Sequence, residues 1–438
     1  MKVGFVSLGC SKNLVDTEMF IGMFQKQKFE IVNNPQDADI IVVNTCGFIT
    51  SAKEEAINTI LEMADYKNSG KCQYLVATGC LVKRYQKELE KAMPEVDLFI
   101  SVDDYDIFWD KIEEMLGYEK KSKNVLDYND RVVATGKTTT YLKIAEGCSN
   151  HCTYCAIPAI RGPYISRKME DILQEANKLA ESGYKEIIVI AQDTSKYGID
   201  LYGEAKLPQL LEKLCRIDGI EWIRFLYTYP ESITDELINV VKKEKKICKY
   251  FDIPLQHVSN NVLKKMNRKS DGNSIQKLIE KLRKEIPEVI IRTTFIVGFP
   301  GETEEDFEEL LHFMKQAKFE KVGAFSYSKE EGTAASRLPE QIHYKVKQKR
   351  YKILMEMQEK ISQEKLQKKI GKTYISLVDE ILPKENLVIA RSYMDIPDED
   401  GVIFVNIKDS KKMPKVGDFI EVKITDVRDY DLVGEIIN

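Results

Sequence analysis

Three cysteines near the middle of the chain have a spacing that suits an iron-sulfur cluster. Cys148, Cys152 and Cys155 form a C-x3-C-x2-C run, and no fourth cysteine follows closely. A ferredoxin-type run carries a fourth cysteine, and a tetrahedral zinc site needs four ligands, usually as two separated pairs. Three thiolates would instead hold a 4Fe-4S cluster and leave one iron open to a small ligand that binds through nitrogen and oxygen. A structural zinc ion and unrelated buried thiols are the alternatives.

The same run resembles the signature of the radical S-adenosylmethionine (SAM) superfamily, including the aromatic Tyr154 directly before the last cysteine. The resemblance implies that SAM binds the open iron by its amino and carboxylate groups, with Tyr154 beside the adenine. It also implies cleavage of SAM to methionine and a 5′-deoxyadenosyl radical, which removes hydrogen from an unactivated carbon.

Three further cysteines, Cys10, Cys46 and Cys80, each come directly after a strand-like run. Because sites in open parallel sheets form outside the carboxyl ends of the strands, we expect these side chains to meet in one pocket. Small buried hydrophobic side chains are the alternative, since cysteine often plays that part. The contexts L-G-C, N-T-C and T-G-C around them resemble the N-terminal domain of the methylthiotransferase family. That resemblance implies a second 4Fe-4S cluster on these three cysteines.

Strand-like and helix-like runs alternate over residues 1–116, which predicts an N-terminal open parallel α/β domain. The four predicted strands cover residues 3–9, 38–45, 73–79 and 97–101, and a helix is expected after each. The helix after the second strand is expected to begin near residue 50, with Thr50 or Ser51 as its cap.

Residues 117–133 are polar and are expected to form a linker. Residues 134–365 contain six strand-like runs, each followed by a helical run, at residues 141–145, 186–191, 222–226, 250–253, 290–296 and 322–327. Six βα units favour a partial (β/α)6 barrel over the closed eight-unit barrel. This agrees with the partial TIM-like radical SAM barrel that the resemblance implies. The cysteine run then follows the first strand, at the end where barrel active sites lie.

Two loops after predicted barrel strands are candidates for binding SAM. Gly298 and Gly301 follow the fifth strand, and glycines let the backbone approach a ligand closely, although a simple glycine turn explains them equally well. Thr303 is expected to cap the next helix. Gln192 and Asp193 follow the second strand, where they replace the usual Gly-Gly-Glu of the superfamily. The resemblance implies that both loops line SAM.

The sequence allows two interpretations for each of three other side chains. Arg161 and Arg167 are either ligands of the SAM carboxylate or solvated cations. His257 follows the fourth predicted strand and is either a functional residue at the barrel mouth or a structural histidine.

The last part of the chain, residues 366–438, contains five short strand-like runs, which predict a C-terminal five-stranded antiparallel β-barrel of the oligonucleotide-binding type. It resembles a TRAM domain, and such domains often bind RNA. Residues 371–438 nevertheless carry 14 acidic and 9 basic side chains, a poor match to phosphate. The acidic turn at residues 395–400 is expected to attract a basic protein segment, and the charge argues against direct binding of transfer RNA.

A basic helix is expected to join the last two domains. Residues 342–372 carry ten Lys or Arg against three Glu, and the apolar spacing is that of an amphipathic helix. The basic face is either solvated or placed against phosphates of ribosomal or transfer RNA.

The composition excludes several other classes of protein. With 43% hydrophobic and 31% charged residues the chain resembles ordinary globular proteins, and the net charge of −5 argues against a nucleic-acid binder with an all-basic surface. The sequence shows neither a signal peptide nor an apolar run for a bilayer, so we expect a cytoplasmic protein with no membrane partner. Nine cysteines, an odd number, then favour metal ligands and free thiols over disulfides.

The three domains in this order resemble a radical SAM methylthiotransferase, and residues 391–401 resemble the RimO type, which modifies an aspartate of protein twelve of the small ribosomal subunit. The resemblance implies two 4Fe-4S clusters, one for the radical and one for sulfur insertion at the β-carbon. It further implies a second SAM as methyl donor and a low-potential electron donor such as flavodoxin or ferredoxin. Methylthiolation of isopentenyl-adenosine in transfer RNA is the alternative substrate. An iron-sulfur electron-transfer or binding protein is the alternative from another class.

Overall fold

The computed structural model describes residues 1–119, 125–407 and 413–437. The predicted linker at residues 117–133 therefore falls in part, at 120–124, outside the described residues. No described helix has the length and apolar character needed to cross a membrane.

The first part of the chain is an open parallel sheet flanked by helices, as predicted. Its strands are β1 (Lys2–Ser7), β2 (Glu30–Ile31), β3 (Ile40–Thr45), β4 (Tyr74–Gly79) and β5 (Leu98–Ser101). Its helices are α1 (Ser11–Lys26), α2 (Thr50–Ala64), α3 (Tyr66–Ser69), α4 (Cys80–Ala92) and α5 (Phe108–Leu116). The strands pair in the order β2-β1-β3-β4-β5, all parallel, so β1, β3 and β4 are neighbours.

The start of α2 differs from the expected cap. Thr50 is already the first helical residue, and the residue before it, Ile49, has no side chain that can accept a hydrogen bond. Instead the carboxylate of Glu330, 280 positions along the chain, accepts from the backbone nitrogen of Thr50 at 2.9 Å. Lys53 also binds this carboxylate at 2.9 Å. The expectation of a local cap was wrong because a distant carboxylate satisfies the helix terminus.

The middle part contains the six parallel strands that the sequence predicts, together with a short antiparallel pair. Its strands are β6 (Thr139–Lys143), β7 (Ala145–Glu146), β8 (Ile165–Ser166), β9 (Glu186–Ile190), β10 (Trp222–Phe225), β11 (Tyr250–Asp252), β12 (Ile290–Val297) and β13 (Lys321–Ser326). Its helices are α6 (Ile157–Arg161), α7 (Met169–Glu181), α8 (Ile199–Tyr202), α9 (Leu207–Leu214), α10 (Asp235–Lys243), α11 (Asn260–Lys265), α12 (Gly272–Glu285) and α13 (Glu304–Ala317).

The six strands form two parallel three-stranded sheets, β6-β9-β10 and β11-β12-β13, and β7 pairs with β8. A single parallel bridge between Ile223 and Ile247 joins β10 to the segment before β11. This is the partial barrel expected from six βα units. Thr303 caps α13 in a capping box with Asp306, as the sequence predicts.

The last part begins with the long helix α14 (Tyr344–Gln367) and ends in a closed barrel. The barrel strands are β14 (Thr373–Leu382), β15 (Leu387–Ser392), β16 (Ile403–Asn406), β17 (Phe419–Arg428) and β18 (Asp431–Ile436). They close in the order β14-β15-β16-β18-β17. All pairs are antiparallel except β16 with β18, which is parallel, so the expectation of a purely antiparallel barrel is wrong for that pair.

The terminal barrel packs against the face of the middle sheet that the helices leave open. Side chains alternate between the two faces of a strand, so Ile187 and Val189 of β9 pack against the helices while Ile188 and Ile190 pack toward the terminal barrel. Arg391 of β15 reaches into this interface and binds the buried carboxylate of Glu186 at 2.9 Å. The two parts therefore share one core.

The acidic turn at residues 395–400 belongs to the same interface. Three of its carboxylates bind basic or phenolic groups of the middle sheet, in the pairs Asp395–Lys321, Glu399–Arg292 and Asp400–Tyr250. The expectation that this turn presents unpaired negative charge to a basic partner is wrong for these three side chains. Asp395 and Glu399 each pair with a cation, and Asp400 accepts a hydrogen bond from a neutral phenol. Asp398 alone of the four acids has no such partner in the described residues.

Candidate functional site

Cys10, Cys46 and Cys80 follow three neighbouring strands at the same edge of the first sheet. Cys10 directly precedes α1, Cys46 follows β3, and Cys80 is the first residue of α4. Cys10 is exposed, Cys46 is half-buried and Cys80 is buried. This is the edge on which the sequence predicts a common pocket, because the carboxyl ends of parallel strands lie together.

The three cysteine loops are packed so closely that they require glycine. A Cβ atom added to Gly9 would lie 2.7 Å from Cβ and 2.9 Å from Sγ of Cys46. A Cβ atom added to Gly47 would lie 2.7 Å from Cα of Leu81, which follows Cys80. Since any side chain at these two glycines would push the loops apart, the two glycines keep the three cysteine loops close together.

Cys148, Cys152 and Cys155 lie on the loop between β7 and α6, at the carboxyl end of the middle sheet. Tyr229 and Arg268 surround Cys152: the Tyr229 hydroxyl is 3.4 Å and the Arg268 Nη1 is 3.9 Å from its Sγ. The Arg268 guanidinium also lies 4.1 Å from the centre of the Tyr229 ring. A cation and a hydroxyl are thus directed at one thiol of the run.

Burial raises the pKa of the thiols in both sets. It raises the pKa of Cys155 to about 12, and it also raises the pKa of Cys148. Burial also raises the pKa of Cys80 to about 11, although the Arg161 guanidinium acts against it. Thiols of this kind stay protonated at neutral pH unless a bound cation displaces the proton, and coordination to a metal does so.

The two cysteine sets lie next to each other. Ala156, the neighbour of Cys155, packs together with Ile160 against Cys80 of the first part. Arg161 at the end of α6 donates from Nε to the Cys80 Sγ at 3.3 Å and pairs with Asp16 at 2.6 Å. The carboxyl ends of the two parallel sheets therefore face each other, with a cysteine set on each side.

The predicted loop at Gln192 and Asp193 lies beside the middle cysteine run. Asp193 is fully buried and accepts hydrogen bonds from Asn150 at 2.8 Å and from Ser195 at 2.5 Å. Asn150 stands between Cys148 and Cys152 in sequence, so the loop and the run are fixed to each other. Gln192 is half-buried in the same loop.

The other predicted SAM contacts, Tyr154 and the loop of Gly298 and Gly301, lie close to each other. Tyr154 packs edge-to-face against Phe299, with ring centres 6.4 Å apart, and Phe299 lies between Gly298 and Gly301 in sequence. Both glycines have positive φ, 72° and 73°, which an L side chain rarely adopts. A Cβ atom at Gly298 would meet the Lys347 side chain, and one at Gly301 would meet Lys265. The glycines thus serve the turn and close packing against lysines.

Arg161 and Arg167, for which the sequence left two interpretations, are both paired within the chain instead of being solvated. Arg161 makes the contacts to Asp16 and Cys80 described above, and Arg167 binds Glu175 at 2.6 Å. His257 is completely buried, its Nδ1 accepts from the Ser259 backbone nitrogen at 3.0 Å, and burial lowers its pKa to about 3. This favours the structural interpretation of His257.

Sequence reasoning missed Lys12, Tyr229 and Arg268. Lys12 lies two positions after Cys10, and its ammonium stands 3.3 Å from the centre of the Tyr227 ring. Only 5% of Lys12 is exposed, and burial lowers its pKa. These residues carry no local motif, and only the long-range packing of the two parts brings them to the cysteines.

Comparison with known proteins agrees with this arrangement part by part. Residues 142–314 match the radical SAM superfamily, residues 2–101 match the uncharacterized protein family UPF0004, and residues 370–437 match the TRAM domain. Full-length relatives are more specific. The ribosomal protein uS12 methylthiotransferase RimO of Alkaliphilus oremlandii is 61% identical over 436 residues, which cover 100% of this chain and 99% of that protein. The protein of the same name from Caldicellulosiruptor saccharolyticus is 52% identical over 447 residues, with both chains covered completely.

This chain belongs to the RimO family of methylthiotransferases. As a RimO-type protein it is an enzyme that depends on SAM and on two 4Fe-4S clusters. The alternative of an iron-sulfur electron-transfer or binding protein without SAM chemistry is therefore set aside.

A solved structure of low sequence identity shares the fold of this RimO-type chain. The radical SAM methyltransferase TsrM from Kitasatospora setae, solved with cobalamin and a [4Fe-4S] cluster, aligns with a TM-score of 0.55 at 11% identity. The alignment covers 74% of this chain and 71% of that chain. At this identity the likeness shows a common fold.

The donor sets fit the clusters that the RimO family uses. Within residues 1–119, 125–407 and 413–437, no three His, Cys, Asp or Glu side chains close around a single metal ion. In a 4Fe-4S cluster each thiolate binds a different iron, so the three thiols stand farther apart than ligands of one ion.

Proposed function

We propose that this enzyme methylthiolates the β-carbon of an aspartate in the small-subunit ribosomal protein uS12. The proposal rests mainly on the full-length similarity to proteins named for that activity. The placement of two three-cysteine sets on facing sheet edges supports it, because a radical centre and a sulfur donor must act on the same carbon.

In this proposal Cys148, Cys152 and Cys155 hold one cluster, and a second cluster is held by Cys10, Cys46 and Cys80. When bound, these groups supply a 5′-deoxyadenosyl radical from one SAM and sulfur at the other cluster, with a methyl group from a second SAM. SAM lies against Tyr154, Gln192, Asp193, Gly298 and Gly301. The close packing of the cysteine loops supports the assignment of the ligands.

The protein's own side chains position and shield these groups. Asp193 ties its loop to the cysteine run through Asn150, so a ligand held by both is held in one orientation. Arg268 and Tyr229 direct a positive charge and a hydroxyl at the Cys152 sulfur, which orients that side chain. The buried thiols and aromatic rings limit the access of water to a reactive radical.

The proposed domain limits are an N-terminal domain at 1–116, a linker at 117–133, a radical SAM barrel at 134–365 and a TRAM domain at 366–438. The three matched regions, 2–101, 142–314 and 370–437, lie inside these limits and support them. The end of the linker is ordered: Arg131 pairs with Glu18 of α1 at 3.4 Å and with Glu175 of α7 at 3.0 Å.

We further propose the partners of the reaction. A ribosomal protein substrate places the enzyme in the cytoplasm, on or near the ribosome, with a low-potential donor such as flavodoxin or ferredoxin. The terminal barrel carries a net negative charge, which disfavours direct transfer RNA binding. Several lysines of α14 remain exposed and are available for ribosomal RNA phosphates, namely Lys345, Lys349, Lys352 and Lys360.

The test is mass spectrometry after incubating the reduced, reconstituted enzyme and SAM with purified uS12 or with transfer RNA that contains isopentenyl-adenosine. The expected result is a mass increase of a methylthio group on one aspartate of uS12 and none on the transfer RNA. Modification of the transfer RNA with uS12 unchanged would show that the alternative substrate is correct.

A further inference from the structure

Lys12 is a buried cation between the first sheet and the middle sheet. It lies on the first turn of α1, directly after Cys10 and Ser11, and only 5% of it is exposed. Its ammonium lies over the ring of Tyr227, which follows β10 at the carboxyl end of the middle sheet. The side chain thus crosses the gap between the two cysteine-bearing edges.

The ammonium of Lys12 has no carboxylate partner among the residues that the structure describes. Among the described residues it forms no ion pair within 4.0 Å and donates no hydrogen bond, and its one direct polar contact is the face of the Tyr227 ring. Cys10 is its strongest favourable electrostatic neighbour, followed by the carboxylates of Asp252 and Glu399, both of which bind Arg292. A cation this buried is costly unless an anion pairs with it, and since no carboxylate of the described residues does so, the ammonium is available to a carboxylate of the substrate.

The position of Lys12 connects it to both halves of the proposed site. On one side, Cys10 is two residues away. On the other side, the carbonyl of Tyr227 accepts from the backbone nitrogen of Thr194 at 3.0 Å, and Thr194 directly follows Asp193 in the proposed SAM loop. An anion bound to Lys12 would therefore lie between the sulfur-bearing cysteines and the SAM loop.

We propose that Lys12 recognises the side-chain carboxylate of the substrate aspartate and holds its β-carbon between the two cysteine sets. This inference rests on the proposed function, because it requires an aspartate as substrate. A carboxylate has one carbon between it and the backbone Cα, so fixing the carboxylate fixes the carbon that is modified. Asparagine has the same shape without the charge, and Lys12 would bind it more weakly.

The inference is tested by the affinity of the reconstituted full-length enzyme, kept oxidised so that no turnover occurs, for purified uS12. Two forms of uS12 are compared: the natural protein and one in which the modified aspartate is replaced by asparagine. The variants are Lys12→Met, which keeps the length but removes the charge, and Lys12→Arg, which keeps the charge. Lys26→Met is the matched control, because Lys26 lies at the far end of the same helix and pairs with Asp130.

The wild type, Lys12→Arg and Lys26→Met are expected to prefer the aspartate form. Lys12→Met is expected to bind the aspartate form about tenfold to a hundredfold more weakly, because it loses one charged hydrogen bond. Its affinity for the asparagine form is expected to stay almost the same as that of the wild type. Because removal of an unpaired buried charge relieves desolvation, the thermal midpoint of Lys12→Met is expected not to fall.

Three results would overturn the inference. They are an undiminished preference for aspartate in Lys12→Met, an equal loss of affinity for both forms, and a lowered midpoint with the preference retained, which would show a structural role. If Lys12→Met does not fold, loss of the preference in Lys12→Arg overturns it as well. Failure of the wild type to bind either form of uS12 would instead contradict the proposed function.

Discussion

The guanidinium of Arg161 donates a hydrogen bond to the thiol of Cys80, with 3.3 Å between Nε and Sγ. The two residues belong to different parts of the chain, and Arg161 follows the middle cysteine run by six positions. Its other nitrogens bind Asn13 and Asp16, both at 2.6 Å. A donor held this rigidly would continue to point at the sulfur when Cys80 binds iron.

We predict that Arg161 raises the reduction potential of the cluster on Cys10, Cys46 and Cys80. Hydrogen bonds and positive charge near the sulfurs stabilise the more negative, reduced cluster. Arg161→Gln should lower the midpoint potential, and Arg161→Lys, which keeps the charge but loses the directed Nε donor, should lower it less. The potential is measured by spectroscopic titration with dithionite in a Cys152→Ala background, in which the other cluster is weakened.

The matched control for this titration is Arg268→Lys, since Arg268 faces the other cysteine set. It should leave the titrated potential unchanged. A tenfold change in the ratio of reduced to oxidised cluster corresponds to about 59 mV for one electron. Equal potentials in the wild-type and Arg161→Gln proteins, at equal iron content, would contradict the prediction.

Substitutions in the two cysteine sets should each remove one cluster, and they should affect different steps of the reaction. Anaerobic reconstitution is expected to give about eight irons per chain, and Cys46→Ala or Cys152→Ala about four. Cys152→Ala should abolish 5′-deoxyadenosine formation because Cys152 is proposed to hold the cluster that binds SAM. Cys46→Ala should retain some 5′-deoxyadenosine but yield no methylthio product. Iron analysis and chromatography of the products measure both effects, and full product from Cys46→Ala would refute the assigned roles.

Loss of the Arg391 side chain should destabilise the whole chain strongly. Arg391 is 2% exposed and binds Glu186 at 2.9 Å and Asp379 at 2.6 Å. Removing one partner of a buried ion pair leaves an uncompensated charge and typically costs about 3–5 kcal/mol. We expect Arg391→Met to lower the free energy of unfolding by an amount near the lower end of that range of energies, because Arg224 still binds Glu186. Urea unfolding monitored by fluorescence measures the loss.

An exposed pair provides the comparison for Arg391→Met. Lys242 binds Glu285 at 3.0 Å on the surface, with 53% of the lysine side chain exposed. Lys242→Met should change the free energy of unfolding far less than Arg391→Met does, because solvent screens a surface ion pair. Similar losses in the two variants would show that the terminal barrel is not held by its buried arginine.

His257 should make the protein less stable in mild acid. Burial lowers its pKa from 6.5 to about 3, outweighing the opposing effect of Asp306. Between these values the unfolded chain binds a proton that the folded chain does not, so stability falls as the pH falls from about 6.5. The slope contributed is at most about 1.4 kcal/mol per pH unit. Urea unfolding at several pH values between 5 and 7 should show a shallower decline in His257→Gln, and identical slopes would disprove the effect.

Local patterns were enough to predict the longer strands, the position of cysteines at strand ends and the Thr303 cap, but not the two-residue strands β2 and β8. In each case the signal lies within a few positions: a buried run that ends at a cysteine, or a Thr before a helical spacing. Cys10, Cys46 and Cys80 are far apart in sequence, but the rule that parallel strands share an edge connects them. The same reasoning gave the six strands of the partial barrel.

Hydrogen-bond and ion-pair partners that are distant in sequence could not be predicted from local patterns. The charge of residues 395–400 was visible, but the lysine and arginine that neutralise it belong to β12 and β13. Thr50 lacks a local cap because Glu330 provides one from 280 positions away. The sequence does not distinguish Lys12 from the other lysines, because it does not show that Lys12 is buried without a carboxylate partner. Such features depend on how the three parts dock.

The bond between Glu186 and Arg391 joins residues 205 positions apart and has a consequence for synthesis. When the strands of the middle sheet have all left the ribosome, the chain that carries Arg391 is still untranslated. Until it arrives, Glu186 has only Arg224 as a counter-ion, and Ile188 and Ile190 lack the part of their apolar cover that the terminal barrel provides. The nascent middle part therefore cannot complete its packing until almost the entire chain has been made, and until then it is prone to aggregation.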